Sequence, residues 1–280
     1  MATLTRPDGI ELHLVDWPLP ADPVRGAVVI VHGLGEHAQR YAHVARHLGS
    51  CGWACHGYDQ RGHGRSGGPR GGMPADDSLL ADLSAVIDRV RGRHPGPLVL
   101  LGHSLGGLLV GRYVAEGLQA QPAPWWRPVD GLAMSSPALD PGMNAGQKLL
   151  LAVLGPLAPT LAVGNGLNAA WISRDDAVVQ AYQADPLVHD RITPRLVRFI
   201  VDAGELVRMS APRWGVPTLL LYAGADRCVA PRGSAAFAAA SPRSVVQVHE
   251  YPGLFHEIFN EPEQAQVLAD LAAWLARRAH

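Results

Sequence analysis

Lysine is nearly missing from this 280-residue chain: Lys148 stands alone, and arginine supplies the other 23 basic side chains. Those arginines are scattered, with no run of five like charges, and the formal net charge is −1. Nucleic-acid binding calls for a basic stripe, so no nucleic-acid partner is expected. Cysteine is equally scarce. Cys51, Cys55 and Cys228 are odd in number and form no CxxC pair, which argues against a disulfide framework and a structural zinc site. Thirteen histidines invite a metal, yet HExxH is absent and no tight ligand cluster stands out, so neither metal nor cofactor is expected. His43 and His47, spaced i and i+4, read as a solvated helix face.

Long apolar runs are also lacking. The longest uncharged apolar stretch, 149–163, is 15 residues broken by Pro156 and Pro159, against about 20 helical residues for a bilayer span. The first residues show no secretory h-region. The expectation is a cytoplasmic protein, at most peripheral to a membrane. Gly and Pro, 31 and 23 residues, make up near one-fifth of the chain, below the roughly 25–30% of low-complexity chains. With 48% hydrophobic residues, a sizeable folded core is expected.

Turn-bounded segments 2–6 and 10–17 alternate across Pro7-Asp8-Gly9 and predict an antiparallel hairpin. The β-branched run 27–31 predicts a strand buried on both faces, and 53–58, 98–101, 129–134, 218–222 and 245–249 predict further strands. Helical spacing appears at Tyr41, Val44, Ala45 and Leu48, then at Leu79, Leu80, Leu83, Val86, Ile87 and Val90 after a cap at Asp76 or Asp77. Further helices follow, from about 105 to 119 and at the end of the chain, the last with Pro262 in its first turn. Strand and helix alternate, so the fold class is α/β, with a mainly parallel sheet covered by helices on both faces. One region departs from the alternation. Residues 138–213 carry helical periodicity without a convincing strand and read as a helical cap insertion, dividing the core into 1–137 and 214–280. Trp125-Trp126, between prolines, is expected to cover the sheet edge.

Gly102-His103-Ser104-Leu105-Gly106 fits G-x-S-x-G, and it stands between a predicted strand and a predicted helix. That context makes Ser104 a candidate nucleophile on a sharp turn. A serine hydroxyl needs a base and an orienting acid, which follow such an elbow in the order acid, then histidine. Asp226 falls just past the strand 218–222. His256 falls in the loop after 245–249, ahead of the last helix. Glu250 competes as the acid but leaves its strand too close to His256. An oxyanion needs preorganised donors, and the N–H groups of Leu34 and Leu105 are the candidates. His32 reads as a structural residue of its loop, and Cys228 lies two residues past Asp226.

His32–His37 with Arg40-Tyr41, Asp59–Ser66 and Gly102–Gly107 resemble the monoacylglycerol lipase / lysophospholipase branch of the α/β-hydrolases. Ser173-Arg174-Asp175, Asp185-Pro186-Leu187, Gly224–Arg227 and His256-Glu257 extend the resemblance over nearly the whole chain. It implies Ser104, Asp226 and His256 as catalytic triad, Leu34 and Leu105 as oxyanion hole, and an acyl-enzyme route to single-chain lipid esters. It also implies a polar pocket formed by Glu36, Arg40 and His103, although a buried Glu36–Arg40 pair that merely stabilises the loop fits as well. Phe259, where vertebrate members carry a second histidine, predicts a less polar alcohol pocket. Two other classes share the scaffold. A prolyl aminopeptidase would hold a free amine on cap acids such as Asp175, Asp176 or Glu205, and a hydrolase-fold receptor would bind a ligand without turnover. The expected partner is a small ester, with transient micelle or membrane contact through the leucine-rich 149–163 segment.

Overall fold

The computed structural model describes residues 2–19 and 24–278, without the side chains of Lys148, Leu150 and Leu154. The chain opens with strands β1 (Ala2–Thr5) and β2 (Glu11–Asp16), the predicted hairpin, paired antiparallel. Strand β3 (Gly26–Val31) leads through helix α1 (Ala42–Ser50) to β4 (Trp53–Tyr58). Helix α2 (Ser78–Arg91), β5 (Leu98–His103), α3 (Leu105–Glu116) and β6 (Gly131–Ser135) continue the alternation. Then come α4 (Ala145–Leu157), β7 (Val163–Gly164), α5 (Asp176–Ala184), β8 (Arg191–Ile192) and α6 (Pro194–Ser210). Strand β9 (Thr218–Ala223), α7 (Pro231–Ala240), β10 (Val246–Tyr251) and α8 (Gln264–Ala276) close the fold.

Eight strands form one sheet in the order β1-β2-β4-β3-β5-β6-β9-β10. The β1–β2 and β2–β4 pairs are antiparallel, and β4 through β10 run parallel. Successive side chains of a strand point to opposite faces, and the two cores follow that period of two. Ala27, Val29 and Val31 join a cluster with residues of α2, α3, α6 and α7, whereas Val28 and Ile30 join one with α1 and α8. Parallel strands so covered need no polar face, which is why β3 and β5 read as unbroken apolar runs.

Several sequence expectations change here. Helix α7 has no counterpart in the periodicity, because its buried face is Gly233, Ser234 and Phe237, two of them too small to register as apolar. The 138–213 region contains two short strands, β7 and β8, paired antiparallel. Its last helix, α6, buries Leu196, Phe199, Ile200, Ala203 and Val207 in the main core. The Asp77 side chain makes no capping bond at α2; the Ser78 hydroxyl instead accepts from the Ala75 N–H at 3.0 Å. Trp125 and Trp126 do not cover a sheet edge. Trp125 packs on Tyr113 of α3 at 5.5 Å between ring centroids, and the Ser84 hydroxyl of α2 donates to its carbonyl. Pro156 lies inside the last turn of α4, and the helix ends at Leu157. A proline removes one hydrogen bond and clashes with the preceding turn, which fits a helix terminating there.

Candidate active site

The strand-to-helix turn after β5 sets the geometry. Ser104 has φ 54° and ψ −117°, a left-handed backbone that a non-glycine residue adopts only when its surroundings enforce it. Its N–H donates to the Ser135 carbonyl at 2.9 Å, and its carbonyl accepts from the Leu108 and Ala138 N–H groups. The flanking glycines are obligatory for close approach. A Cβ on Gly102 would sit 2.3 Å from the Gly106 carbonyl oxygen, and one on Gly106 would sit 2.1 Å from that of Val31.

Ser104 opens on a cavity of about 330 Å³ that His256 also lines. The His256 Nδ1–H donates to Asp226 Oδ2 at 2.6 Å, and the other Asp226 oxygen accepts from the Cys228 and Val229 N–H groups at 2.8 and 3.0 Å. The carboxylate is thereby aimed from its own loop, and the ring presents Nε2 as the free nitrogen. No hydrogen bond joins Ser104 to His256 among the described residues; in unliganded sites that contact commonly tightens only around substrate. Burial disfavours a charged His256, but the Asp226 charge and hydrogen bond, with Glu257 and Glu36 behind them, outweigh it and hold its pKa above the ordinary imidazole value. Glu250 is engaged elsewhere, accepting from the Tyr222 hydroxyl at 2.8 Å.

Leu105 opens α3, so its N–H lies in the first turn, where no intrahelical acceptor exists. Leu34 lines the cavity. Among the described residues neither N–H donates to a backbone acceptor. The loop carrying Leu34 is stapled by Glu36, which accepts from the Gly33 N–H and the Tyr41 hydroxyl at 2.6 Å each and from Arg40 at 2.5 Å. Burial opposes ionisation of Glu36, yet Arg40, His103 and His32 beside it hold its pKa down to about 2.

Of the expected polar-pocket residues, Glu36 and His103 line the cavity, while Arg40 stands behind them. Arg40 also grips Glu257 through two bonds of 2.7 Å, a contact spanning 217 positions that no local pattern reveals. His103 stacks on His256 at 4.7 Å and bonds the Ser135 hydroxyl at 3.0 Å. Burial and the positive charge of a protonated His256 push its pKa down to about 3, so it is neutral. His32 is structural as expected, its two nitrogens engaged by the Gly33 carbonyl and the Gln60 N–H.

Other expectations fail on geometry. Phe259 is buried in the core and does not line the cavity, whose polar side comes from Asn165, Asn168, Gln183 and His189. Asp175, Asp176 and Glu205 do not line it either. His43 is no solvated face: its Nε2 bonds the Phe259 carbonyl at 2.9 Å. Cys228 lines the cavity, and Asp226, Cys228 and His256 bring ligand-type atoms within 4.8 Å of one another. Two of those groups already share a hydrogen bond, and burial, with Asp226 and Glu257, raises the Cys228 thiol well above its usual range. A larger cavity of about 440 Å³, between α2, α3 and α6, contains none of the candidate residues.

The chain is similar to known proteins over nearly its whole length. A family model described as Hydrolase_4, serine aminopeptidase S33, matches residues 22–263. The monoacylglycerol lipase of Mycolicibacterium smegmatis is 36% identical over 271 residues, covering 95% of this chain and 93% of the relative. The crystal structure of Paleococcus ferrophilus monoacylglycerol lipase aligns with a TM-score of 0.83 at 34% identity, over 95% of this chain and 99% of that one. A monoglyceride lipase from Saccharomyces cerevisiae, solved with a substrate analog, shares the fold at TM-score 0.86 and 22% identity, over 99% and 94% of the two chains. The chain therefore belongs to the Hydrolase_4 family of α/β-hydrolases and is a carboxylic-ester hydrolase.

Proposed function

We propose that the chain hydrolyses monoacylglycerols, or closely similar single-chain lipid esters, through an acyl-enzyme on Ser104. The observation that carries this reading is the strained Ser104 opening on the same cavity as His256, whose far nitrogen is held by Asp226. Ser104 Oγ attacks the ester carbonyl while His256 Nε2 takes its proton. The tetrahedral oxyanion is received by the Leu34 and Leu105 N–H groups. The His256 proton passes to the leaving alcohol, Asp226 fixes the ring throughout, and a water activated by His256 then releases the acid. Leu34, Leu167, Ile172 and Val188 give the cavity an apolar side for the acyl chain, and Asn165, Asn168 and His189 a polar one for the alcohol. The relatives named as monoacylglycerol lipases support this substrate class.

Residues 138–213 act as the cap in this reading. Leu149, Val153 and Leu157 follow one another at helical i, i+4, i+8 spacing on α4, all exposed, with Leu161 exposed just beyond. Such a stripe suits transient contact with a micelle or membrane surface. No helix among the described residues is long and apolar enough to cross a membrane. The protein works as a cytoplasmic enzyme that touches the lipid surface.

The family description keeps aminopeptidase chemistry as the second reading. Of the four cavity acids, Glu36 and Glu257 are engaged by Arg40 and Asp185 by His37 at 2.8 Å; Asp190 pairs with Arg191 at 3.2 Å on the exposed rim and is the one acid a substrate amine could readily reach. A series of monoacylglycerols from two to sixteen carbons, run beside aminoacyl anilides, decides between them. Turnover of the glycerol esters alone is expected; cleavage of the anilides alone would overturn the proposal. A burst of p-nitrophenol from an activated ester separates either enzyme from a non-catalytic receptor.

A further inference from the structure

Glu261 has no role in the chemistry above, yet it is fully buried and receives four hydrogen bonds. Its Oε1 accepts from the Arg174 N–H at 2.5 Å and the Ser173 hydroxyl at 2.9 Å. Its Oε2 accepts from Arg174 Nε at 2.5 Å and from the Phe255 N–H at 3.1 Å. Phe255 immediately precedes His256. Ser173 and Arg174 directly follow Ile172, which lines the cavity, and the Ile172 carbonyl accepts from the Glu257 N–H at 2.8 Å. One carboxylate thus ties a wall of the substrate cavity to the loop that carries the histidine.

Burying a carboxylate is costly, and a well-packed apolar side chain often replaces a buried ion pair without loss of stability. What an apolar group cannot do is fix several donors in direction at once. The loop from Tyr251 to His256 gains from such a fixture: it contains Gly253, its one internal backbone bond among the described residues is Leu254 N–H to Tyr251, and the Gly224 and Ala225 N–H groups tie only its Tyr251 and Leu254 carbonyls, short of Phe255. We propose that Glu261 is a positioning residue for His256, holding it through the Phe255 N–H against the 172–174 wall. The proposal rests on His256 being the base. Arg174 supports Glu261 from the surface side, where it also pairs with Glu263.

The test compares Glu261→Gln and Arg174→Gln with the unaltered enzyme. Glu261→Gln should lower kcat on a soluble p-nitrophenyl ester by about tenfold with KM nearly unchanged, since ångström-scale misplacement costs up to about 10²-fold. Labelling of Ser104 by a serine-directed phosphonate should slow in parallel. The strongly deshielded proton of the His256–Asp226 hydrogen bond should broaden or vanish from the NMR spectrum. Arg174→Gln keeps every backbone donor and should move the same three readouts in the same direction, by about twofold to threefold. A folded Glu261→Gln enzyme with unchanged kcat, labelling and resonance overturns the proposal. If that variant does not fold, an Arg174→Gln enzyme unchanged in all three does so. Failure of the unaltered enzyme to label at Ser104 would instead strike the triad itself.

Discussion

At the scale of single residues, Arg40 shows how charge is handled around the site. Its guanidinium is divided between Glu36 and Glu257, and it lies over the Tyr182 ring at 4.8 Å. Burial would lower the Arg40 pKa, but the two carboxylates raise it, so the cation is permanent. The same carboxylates act on His256. In the proposed mechanism only the neutral His256 ring can take the serine proton, and its pKa is held above the ordinary value, near 6.5. Activity should therefore rise with pH along a limb whose midpoint lies above that value. Glu257→Gln removes one negative neighbour and leaves Arg40 less compensated, and both changes disfavour the imidazolium. The acid limb of kcat/KM should move to lower pH in that variant. A limb that stays put or moves up would show that Glu257 does not act on the histidine.

At the scale of elements, α4 differs from every other long helix in the face it leaves open. Helix α6 buries seven residues of its inner face, whereas α4 exposes Leu149 by 66% and Leu157 by 77%. A stripe this apolar gains about 0.8 kcal/mol per CH₂ it buries in lipid. Leu157→Asp should slow hydrolysis of dispersed long-chain monoacylglycerol severalfold while a soluble two-carbon ester is turned over as before. Equal loss on both substrates would mean a damaged fold, and no loss on either would remove Leu157 from the lipid's path. Elements with strong periodicity were legible in sequence: β4 matches 53–58 to the residue, and the β1–β2 hairpin follows from its turn. Helix α7 was not, because glycine and serine fill its inner face. The short β7–β8 pair carries too few residues for any period to show.

At the scale of the whole molecule, the sheet brings together residues far apart in the chain at the C-terminal ends of parallel strands. Ser104 follows β5, Asp226 follows β9 and His256 follows β10. That convergence was readable because each residue stands just past a predicted strand. The supporting network was not. Arg40–Glu257 and Glu261–Ser173 span 217 and 88 positions, and such contacts exist only once the fold has closed. The most direct test of the central claim is a double-mutant comparison on an activated ester. Ser104→Ala and His256→Ala should each remove nearly all activity, leaving only the roughly 10³–10⁴-fold effect of binding and the oxyanion donors. Combined, they should lose little more than either alone, because the two groups act as one unit. Independent, multiplicative losses in the double variant would contradict the assignment of Ser104 and His256 to one catalytic apparatus.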